Sequence, residues 1–418
     1  MVDPASGRDD LVDLVLSDGA VTEVGPGLEA LDAEILDATG LLVLPGFIDL
    51  HAHLREPGRE YAETIASGAA AAAAGGFTAV CAMPNTEPTN DDPSMTAFVA
   101  AKGAGAGAAR VYPIGAITRG RKGEELAEFG EMRRAGAVAV SDDGSWLADG
   151  DLLRRAIQHA SLYGMAVVQH AEDTTLSRRA PMHEGAVSTR LGLTGQPAVA
   201  EAAAIARDLL VARIAGGRLH FAHLSTALSV ECVREAKLQG LSVTCEAAPH
   251  HLTLLDEEVS RSGYSTRFKM NPPLREREDV TALVAGLADG TIDAIATDHA
   301  PHHADEKAVD FESAPFGVIG LETAAAVVYD RLVAPGHLTL RRFVELFSTG
   351  PARAFGLPGG TLAPRSPADV TLFDPQRRWT VDPAYFVSLG RSTPFAGWEL
   401  VGAPAATIVA GRVVWNAL

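Results

Sequence analysis

From residue 47 to residue 296 the chain repeats one pattern: a short apolar run, then an alanine-rich or amphipathic stretch, then another apolar run. The short runs are bounded by glycine, proline or polar residues. That predicts buried strands at Phe47–Leu50, Thr78–Ala82, Arg110–Gly115, Ala137–Val140, Ala166–Gln169, Leu219–Ala222, Ser242–Ala247 and Asp293–Ala296. The stretches between them predict helices at Tyr61–Ala74, Pro93–Lys102, Gly123–Arg134, Asp151–Tyr163, Ala198–Ile214, Leu228–Gln239 and Val280–Ala288, with one more at Leu321–Val333. Strand–helix units repeated in this way predict an α/β fold of the (β/α)8 barrel type, which typically needs about 250 residues and tolerates insertions. A doubly wound open sheet is the structural alternative. It is disfavoured because no Gly-X-Gly-X-X-Gly turn opens the first helix.

The two ends follow a different pattern. Short β-like runs at Val12–Leu16, Leu41–Leu44, Val370–Phe373, Ala406–Val409 and Arg412–Trp415 are separated by turns such as Ser17-Asp18-Gly19 and Ala410-Gly411. Both ends flank the barrel, so they are expected to meet in one small β domain. The expected organisation is 1–44 and 355–418 as the two parts of that domain, around a barrel at 45–354. The glycine-rich run Gly103–Ala109 reads as a connecting loop.

Composition narrows the function. The 418 residues are 47% hydrophobic and 21% charged, ordinary for a globular enzyme. A formal net charge of −18 argues against nucleic acid as the partner, though a local arginine can still attract a small anion. No apolar run is long enough to span a bilayer, and the first residues lack a basic region with an apolar core. A membrane role is therefore not expected, and a cytoplasmic location is. The three cysteines, Cys81, Cys232 and Cys245, are too widely spaced to suggest a disulfide framework or a thiolate metal site.

In a barrel of this kind the chemistry sits on the loops at the carboxyl ends of the strands. Read along that rim, His51 and His53 follow strand one, Asn85 strand two, Asp142 and Asp143 strand four, His170 strand five and His223 strand six. Asn271 lies beyond strand seven, and Asp298 ends strand eight. Four histidines and two or three carboxylates exceed the needs of a single tetrahedral zinc. They suit two metals bridged by a carboxylate and a water.

At these residues the chain resembles the amidohydrolase superfamily, and closely the type I dihydroorotase family. The resemblance runs from about Leu41 to Ala354. Its signatures are Pro-Gly-Phe-Ile-Asp-Leu-His-Ala-His-Leu-Arg (45–55), Met-Pro-Asn-Thr (83–86), Ser-Asp-Asp-Gly (141–144), Ala-Thr-Asp-His-Ala-Pro-His (296–302) and Pro-Phe-Gly (315–317). It implies zinc as cofactor, one or two ions with two favoured. His51, His53 and Asp298 would bind one and His170 and His223 the other, with Asp143 as the bridge. Asp142 is the competitor for that bridge and otherwise a capping or supporting residue. Many superfamily members bridge their metals with a carboxylated lysine on strand four; Ala137–Val140 contains no lysine.

The resemblance further implies reversible hydrolysis of the ring amide of dihydroorotate to N-carbamoyl-L-aspartate, in pyrimidine biosynthesis, by a metal-activated water with Asp298 as general acid and base. Arg55 would grip the substrate carboxylate, helped by Asn85 and His302. Asn271, His53, Leu54 and the backbone at Phe316 and Gly317 would complete the substrate pocket. Of the remaining histidines, His250 and His251 are given supporting roles, and His299 is expected to orient its neighbours. His303 reads as a loop residue, and His159, His183, His220 and His337 as structural or surface positions. Pro301–Pro315 reads as a solvated loop or a lid over the site. A homodimer is expected, with aspartate carbamoyltransferase as a candidate partner. Two other readings compete: a hydantoinase- or allantoinase-like hydrolase, and a non-catalytic chain supporting a carbamoyltransferase. Relatives of the first kind generally use the bridging lysine, and those of the second typically lose metal histidines that are all present here.

Overall fold

The computed structural model describes residues 1–29 and 33–418. Residues 30–32, inside the N-terminal part of the expected β domain, lie outside the described residues. Parallel strands at Phe47–Ala52, Phe77–Ala82, Arg110–Gly115, Ala139–Ser141, Ala166–Gln169, Arg218–Phe221, Val243–Ala247 and Ala294–Ile295 form an eight-stranded sheet whose spatial order is the chain order. A doubly wound sheet would reverse its order near the first strand, so that alternative is excluded. The seam between first and last strands is closed largely by a side chain. Asp49 accepts from Thr297 N at 2.9 Å and from Thr297 Oγ1 at 2.5 Å, and Ala52 forms a parallel bridge with His299. Burial pushes the Asp49 pKa up to about 7, although the Thr297 donors act against it.

Strand alternation sorts the side chains into two apolar layers. Phe47, Leu219, Phe221, Val243 and Cys245 face the surrounding helices, whereas Ile48, Leu50, Ala79, Cys81, Val168 and Ala222 fill the barrel interior. Helices begin where a cap satisfies their free N–H groups. Thr64 caps Ile65–Ala74, Asp92 caps Pro93–Gly105 and Asp149 caps Gly150–Ser161.

Several elements differ from the sequence expectation. The helix expected from Tyr61 starts at Ile65, because residues 55–63 form a loop over the barrel mouth. The helix from Pro93 runs on to Gly105, into the expected loop. The helix expected at Gly123–Arg134 is confined to Phe129–Arg134. Ahead of it, Arg119 N donates to Glu125 O and Ala127 N to Ile117 O, which folds that segment back on itself.

At the termini, Leu42–Pro45 pairs antiparallel with Val370–Thr380, which pairs with Glu399–Val409 and then Arg412–Asn416. The hairpin Asp13–Ser17/Ala20–Gly25 forms a separate two-stranded sheet, with one bridge from Ala20 to Pro367 just ahead of Val370. Val370–Thr380 and Glu399–Val409 are longer than the apolar runs expected there because their ladder continues past irregularities at Leu372/Phe373 and Asp374/Arg378. Aromatic packing attaches the sheet to the barrel: Phe373 lies 5.0 Å from Tyr329 and 5.9 Å from Phe343, and Phe347 lies 5.1 Å from Phe47, ring centre to ring centre. No helix among the described residues is long and apolar enough to cross a membrane.

Candidate metal centre and active site

Asp143 stands at the centre of the barrel mouth. Its Oδ1 lies 3.3 Å from His51 Nε2, 3.7 Å from His170 Nδ1 and 3.8 Å from His223 Nε2, and its Oδ2 lies 3.5 Å from His53 Nε2. Asp298 faces the first pair, with Oδ1 3.6 Å from His51 Nε2 and 3.4 Å from His53 Nε2. These six side chains come from strand ends far apart in sequence, and all are buried. His51, His53 and Asp143 form one cluster with metal-ligand spacing, and Asp143, His170 and His223 form another. Buried polar atoms normally find a partner, yet His51 Nε2 and Asp143 Oδ1 face each other with no hydrogen bond. Converging imidazole and carboxylate lone pairs in a dry site suit divalent zinc-like ions, so the residues present fit the metals that the fold implies.

The electrostatics agree. Burial opposes the charge on Asp143, but His51, His223 and His53 hold its pKa well below the usual carboxylate range. Asp298 is likewise opposed by burial and held down by His53, His51 and His223. Both remain anionic at neutral pH. The backbone is strained in the same place: His223, Asp298 and Arg55 take φ values of 31°, 47° and 60°, in the left-handed region that non-glycine residues rarely enter.

Three of the four rings are aimed by a partner on the other nitrogen, and His223 Nδ1 has none among the described residues. His51 Nδ1 lies 3.0 Å from Glu246 Oε1, and Glu246 Oε2 lies 3.1 Å from His220 Nε2. His220 Nδ1 in turn meets Thr244 Oγ1 at 2.8 Å. His53 Nδ1 lies 2.8 Å from Asn85 Oδ1, and His170 Nε2 lies 3.1 Å from Glu172 Oε2. Burial opposes ionisation of Glu246 and Glu172, but the histidines facing them bring both to about 2. An ionised carboxylate accepts, so His51 Nδ1 and His170 Nε2 each carry an N–H toward Glu246 and Glu172. Sequence reading missed Glu246, Glu172 and the role of His220. A signal for the first was present: in Val-Thr-Cys-Glu-Ala the outward positions are apolar while the inward ones, Thr244 and Glu246, are polar. Glu246→Gln removes the charge that fixes the His51 tautomer. It is expected to weaken zinc binding by about 10–100-fold in a chelator-competition titration; unchanged affinity would make Glu246 a packing residue.

The other expected site residues take these places. Asp142 turns away from the centre: it accepts from Ile117 N at 2.9 Å, Thr118 N at 3.0 Å and Thr118 Oγ1 at 2.5 Å, so it anchors the loop and does not face the histidines. Arg55 is buried at the rim, with Nε donating to Pro301 O at 3.0 Å. Burial and the nearby Arg59 lower its pKa to about 10. The strand ends at Ala52, so Arg55 reaches the mouth through its left-handed turn and does not share the strand face of His51. Leu54 buries its side chain, close enough that a Cβ on Gly68 would lie 2.5 Å from its Cδ2, which leaves only its backbone for a ligand. Asn271 Nδ2 donates to Glu172 Oε2 at 2.8 Å, beside His170. His302 Nε2 meets Phe316 O at 2.8 Å. Gly317 has φ 125°, and a Cβ there would sit 2.7 Å from Ala300 Cβ and 3.1 Å from His302 Nε2, so only glycine fits.

His299 orients its neighbours as expected: its backbone O accepts from His53 N at 2.8 Å, and its Nε2 lies 3.3 Å from buried Glu63. His251 Nε2 meets Pro272 O at 2.8 Å, and the His250 ring packs on it with centres 4.3 Å apart. His183 pairs with the buried Arg275 at 3.0 Å, and His159 stacks on Phe129.

Comparison with known proteins agrees with this geometry. A family model described as Dihydro-orotase-like matches residues 40–229. A dihydroorotase of Anaeromyxobacter sp. (strain K) is 56% identical over 415 residues, covering 99% of this chain and 96% of the relative. One from Pelotomaculum thermopropionicum is 54% identical, with the same two coverages of 99% and 96%. Among solved structures, L-hydantoinase (dihydropyrimidinase) from Arthrobacter aurescens superposes with a TM-score of 0.87 at 28% identity, covering 100% of this chain and 94% of that one. At that level of identity along its whole length, the chain belongs to the dihydroorotase family of the amidohydrolase superfamily.

Proposed function

We propose that this chain opens the ring amide of (S)-dihydroorotate to N-carbamoyl-L-aspartate, and closes it in reverse, within pyrimidine biosynthesis. The observation that carries this reading is one carboxylate, Asp143, ringed by four imidazoles with Asp298 opposite. Zinc is the proposed ion. His51, His53 and Asp298 would hold one, His170 and His223 a second, and Asp143 both. Bound there, divalent ions supply Lewis acidity and lower the pKa of water. Asp298, anionic and beside the centre, takes a proton from the attacking water and returns it to the departing ring nitrogen. Arg55 offers the ring carboxylate a planar two-pronged contact, and Asn85 and His302 add hydrogen bonds. Asn271, His53 and the backbone at Leu54, Phe316 and Gly317 line the remaining edges of the ring.

The proposal extends to a cytoplasmic homodimer, with aspartate carbamoyltransferase as a candidate partner. The barrel at 45–354 would carry the chemistry, and 1–44 with 355–418 the supporting β domain. Hydrolysis of hydantoins is the second reading, favoured by the backbone match to an L-hydantoinase.

Steady-state kinetics with dihydroorotate, hydantoin and allantoin separate the two. Dihydroorotate is expected to turn over fastest; a preference for hydantoin would transfer the assignment. Arg55→Lys supplies a second arm, since lysine cannot reproduce the fork. It is expected to lower kcat/KM for dihydroorotate about 10- to 100-fold, the cost of a charge-assisted contact of about 1.5–3 kcal/mol, with zinc content unchanged. Hydrolysis of an analogue without the carboxylate should barely change. Equal losses on both substrates would make Arg55 a scaffold residue.

A further inference from the structure

The segment Pro301–Pro315 carries a buried cation that the proposed chemistry does not use. Lys307 ends the short helix Ala304–Lys307 and is only 8% exposed. Its ammonium donates to Pro315 O at 2.8 Å and to Lys269 O at 3.4 Å, two backbone carbonyls from different loops. Its own backbone is anchored, because Thr266 Oγ1 donates to Lys307 O at 2.7 Å. The Lys269 carbonyl also accepts from Gly317 N at 3.0 Å, and the Lys269 ammonium donates to Glu312 O at 2.8 Å and lies 4.8 Å from the centre of the Phe316 ring. Phe316 O meets His302 Nε2. Pro315, Phe316 and Gly317 are therefore each tied by one bond, and Lys307 bridges two of the strands of chain involved.

We propose that Lys307 is a positioning residue of the substrate pocket, fixing the Pro315–Gly317 backbone against the Lys269–Asn271 segment so that the two walls keep the spacing of a cyclic amide edge. This rests on the reading that Phe316–Gly317 and Asn271 line the pocket. Stability gives little reason for a lysine here. Burial, with Lys269 and Arg55 nearby, pushes its pKa down to about 7, the signature of a cation that folding disfavours. A buried group that costs stability and holds a ligand-facing loop is better explained by what that loop does. At this point the segment is pinned from inside by Lys307, and from outside by Arg59 on Glu306 at 2.5 Å.

Lys307→Met keeps the unbranched apolar stem of the side chain, one atom shorter, and deletes its donors. In the zinc-loaded protein it is expected to raise KM for dihydroorotate about tenfold, the upper range for one lost hydrogen bond, with kcat within about threefold. Zinc content should be unchanged and Tm unchanged or higher. The uncharged methyl ester of dihydroorotate, used as a competitive inhibitor, should also lose affinity, because Pro315–Gly317 is proposed to line the ring and not the carboxylate. Lys307→Gln restores a donor and is expected to recover part of the affinity. An unchanged KM, a Tm that falls with kcat, a loss confined to the charged ligand, or a Gln variant no better than Met would each overturn the proposal. Wild-type turnover in the same series keeps the two readings apart. Failure of wild type on dihydroorotate sinks the proposed function, whereas normal wild-type turnover with an unaltered Lys307→Met sinks only the role of Lys307.

Discussion

Asp298→Asn is expected to depress kcat for dihydroorotate by at least about 10²-fold, the lower end for losing a general base, and up to about 10⁴-fold. Asparagine preserves the shape of the side chain and its fit beside His51 and His53, 3.6 and 3.4 Å away. It removes the charge that those histidines stabilise. The wild-type carboxylate stays ionised because that stabilisation outweighs its burial, so it carries no proton at neutral pH and its lone pairs are available. The amide offers no such base. Zinc content must be measured alongside, since the same carboxylate is a proposed ligand. A variant that keeps its metal and loses turnover assigns proton transfer to Asp298, and near-normal kcat removes it from the mechanism.

The second large effect is metal removal. Dialysis against a strong chelator is expected to abolish turnover, and zinc to restore it. Full activity in protein shown by elemental analysis to be metal-free would sink the assignment. Stability should respond as well. An ion bound only by the folded chain stabilises it by about 4.1 kcal/mol when free metal exceeds Kd a thousandfold. The chelated protein should therefore melt at a lower temperature, and zinc should raise its Tm in a concentration-dependent way. The cause lies in the site itself: His51 Nε2 and Asp143 Oδ1 are buried, face each other and make no hydrogen bond.

Much of this arrangement was legible in the chain because it rests on local patterns. Alternation of short apolar runs with longer amphipathic stretches specifies strand–helix units, and right-handed crossovers leave few ways to assemble them. Residues placed just after those runs share one rim of the barrel, which is why the sequence alone groups His51, His53, Asp143, His170, His223 and Asp298. The weak points were local competitions. The segment before Phe129 has helical periodicity, yet it folds back because Arg119 N donates to Glu125 O and Ala127 N to Ile117 O. Lys307 sits in a charged stretch that reads as solvated, and it is buried because backbone carbonyls of two distant loops close around it.

By itself the sequence determined the barrel, the rim positions and the choice of imidazole and carboxylate at each, since residue type and spacing along a strand fix both side-chain face and ligand chemistry. Only the tertiary structure decided which carboxylate faces the histidines and what aims His51, His53 and His170. Asp142 and Asp143 are neighbours of identical chemistry, and contacts from another loop turn one toward the backbone of residues 117–118 and the other toward four histidines. Glu246 meets His51 across 195 residues of sequence, and Asp49 meets Thr297 across 248. Such pairings depend on barrel closure and strand register, which no local periodicity encodes.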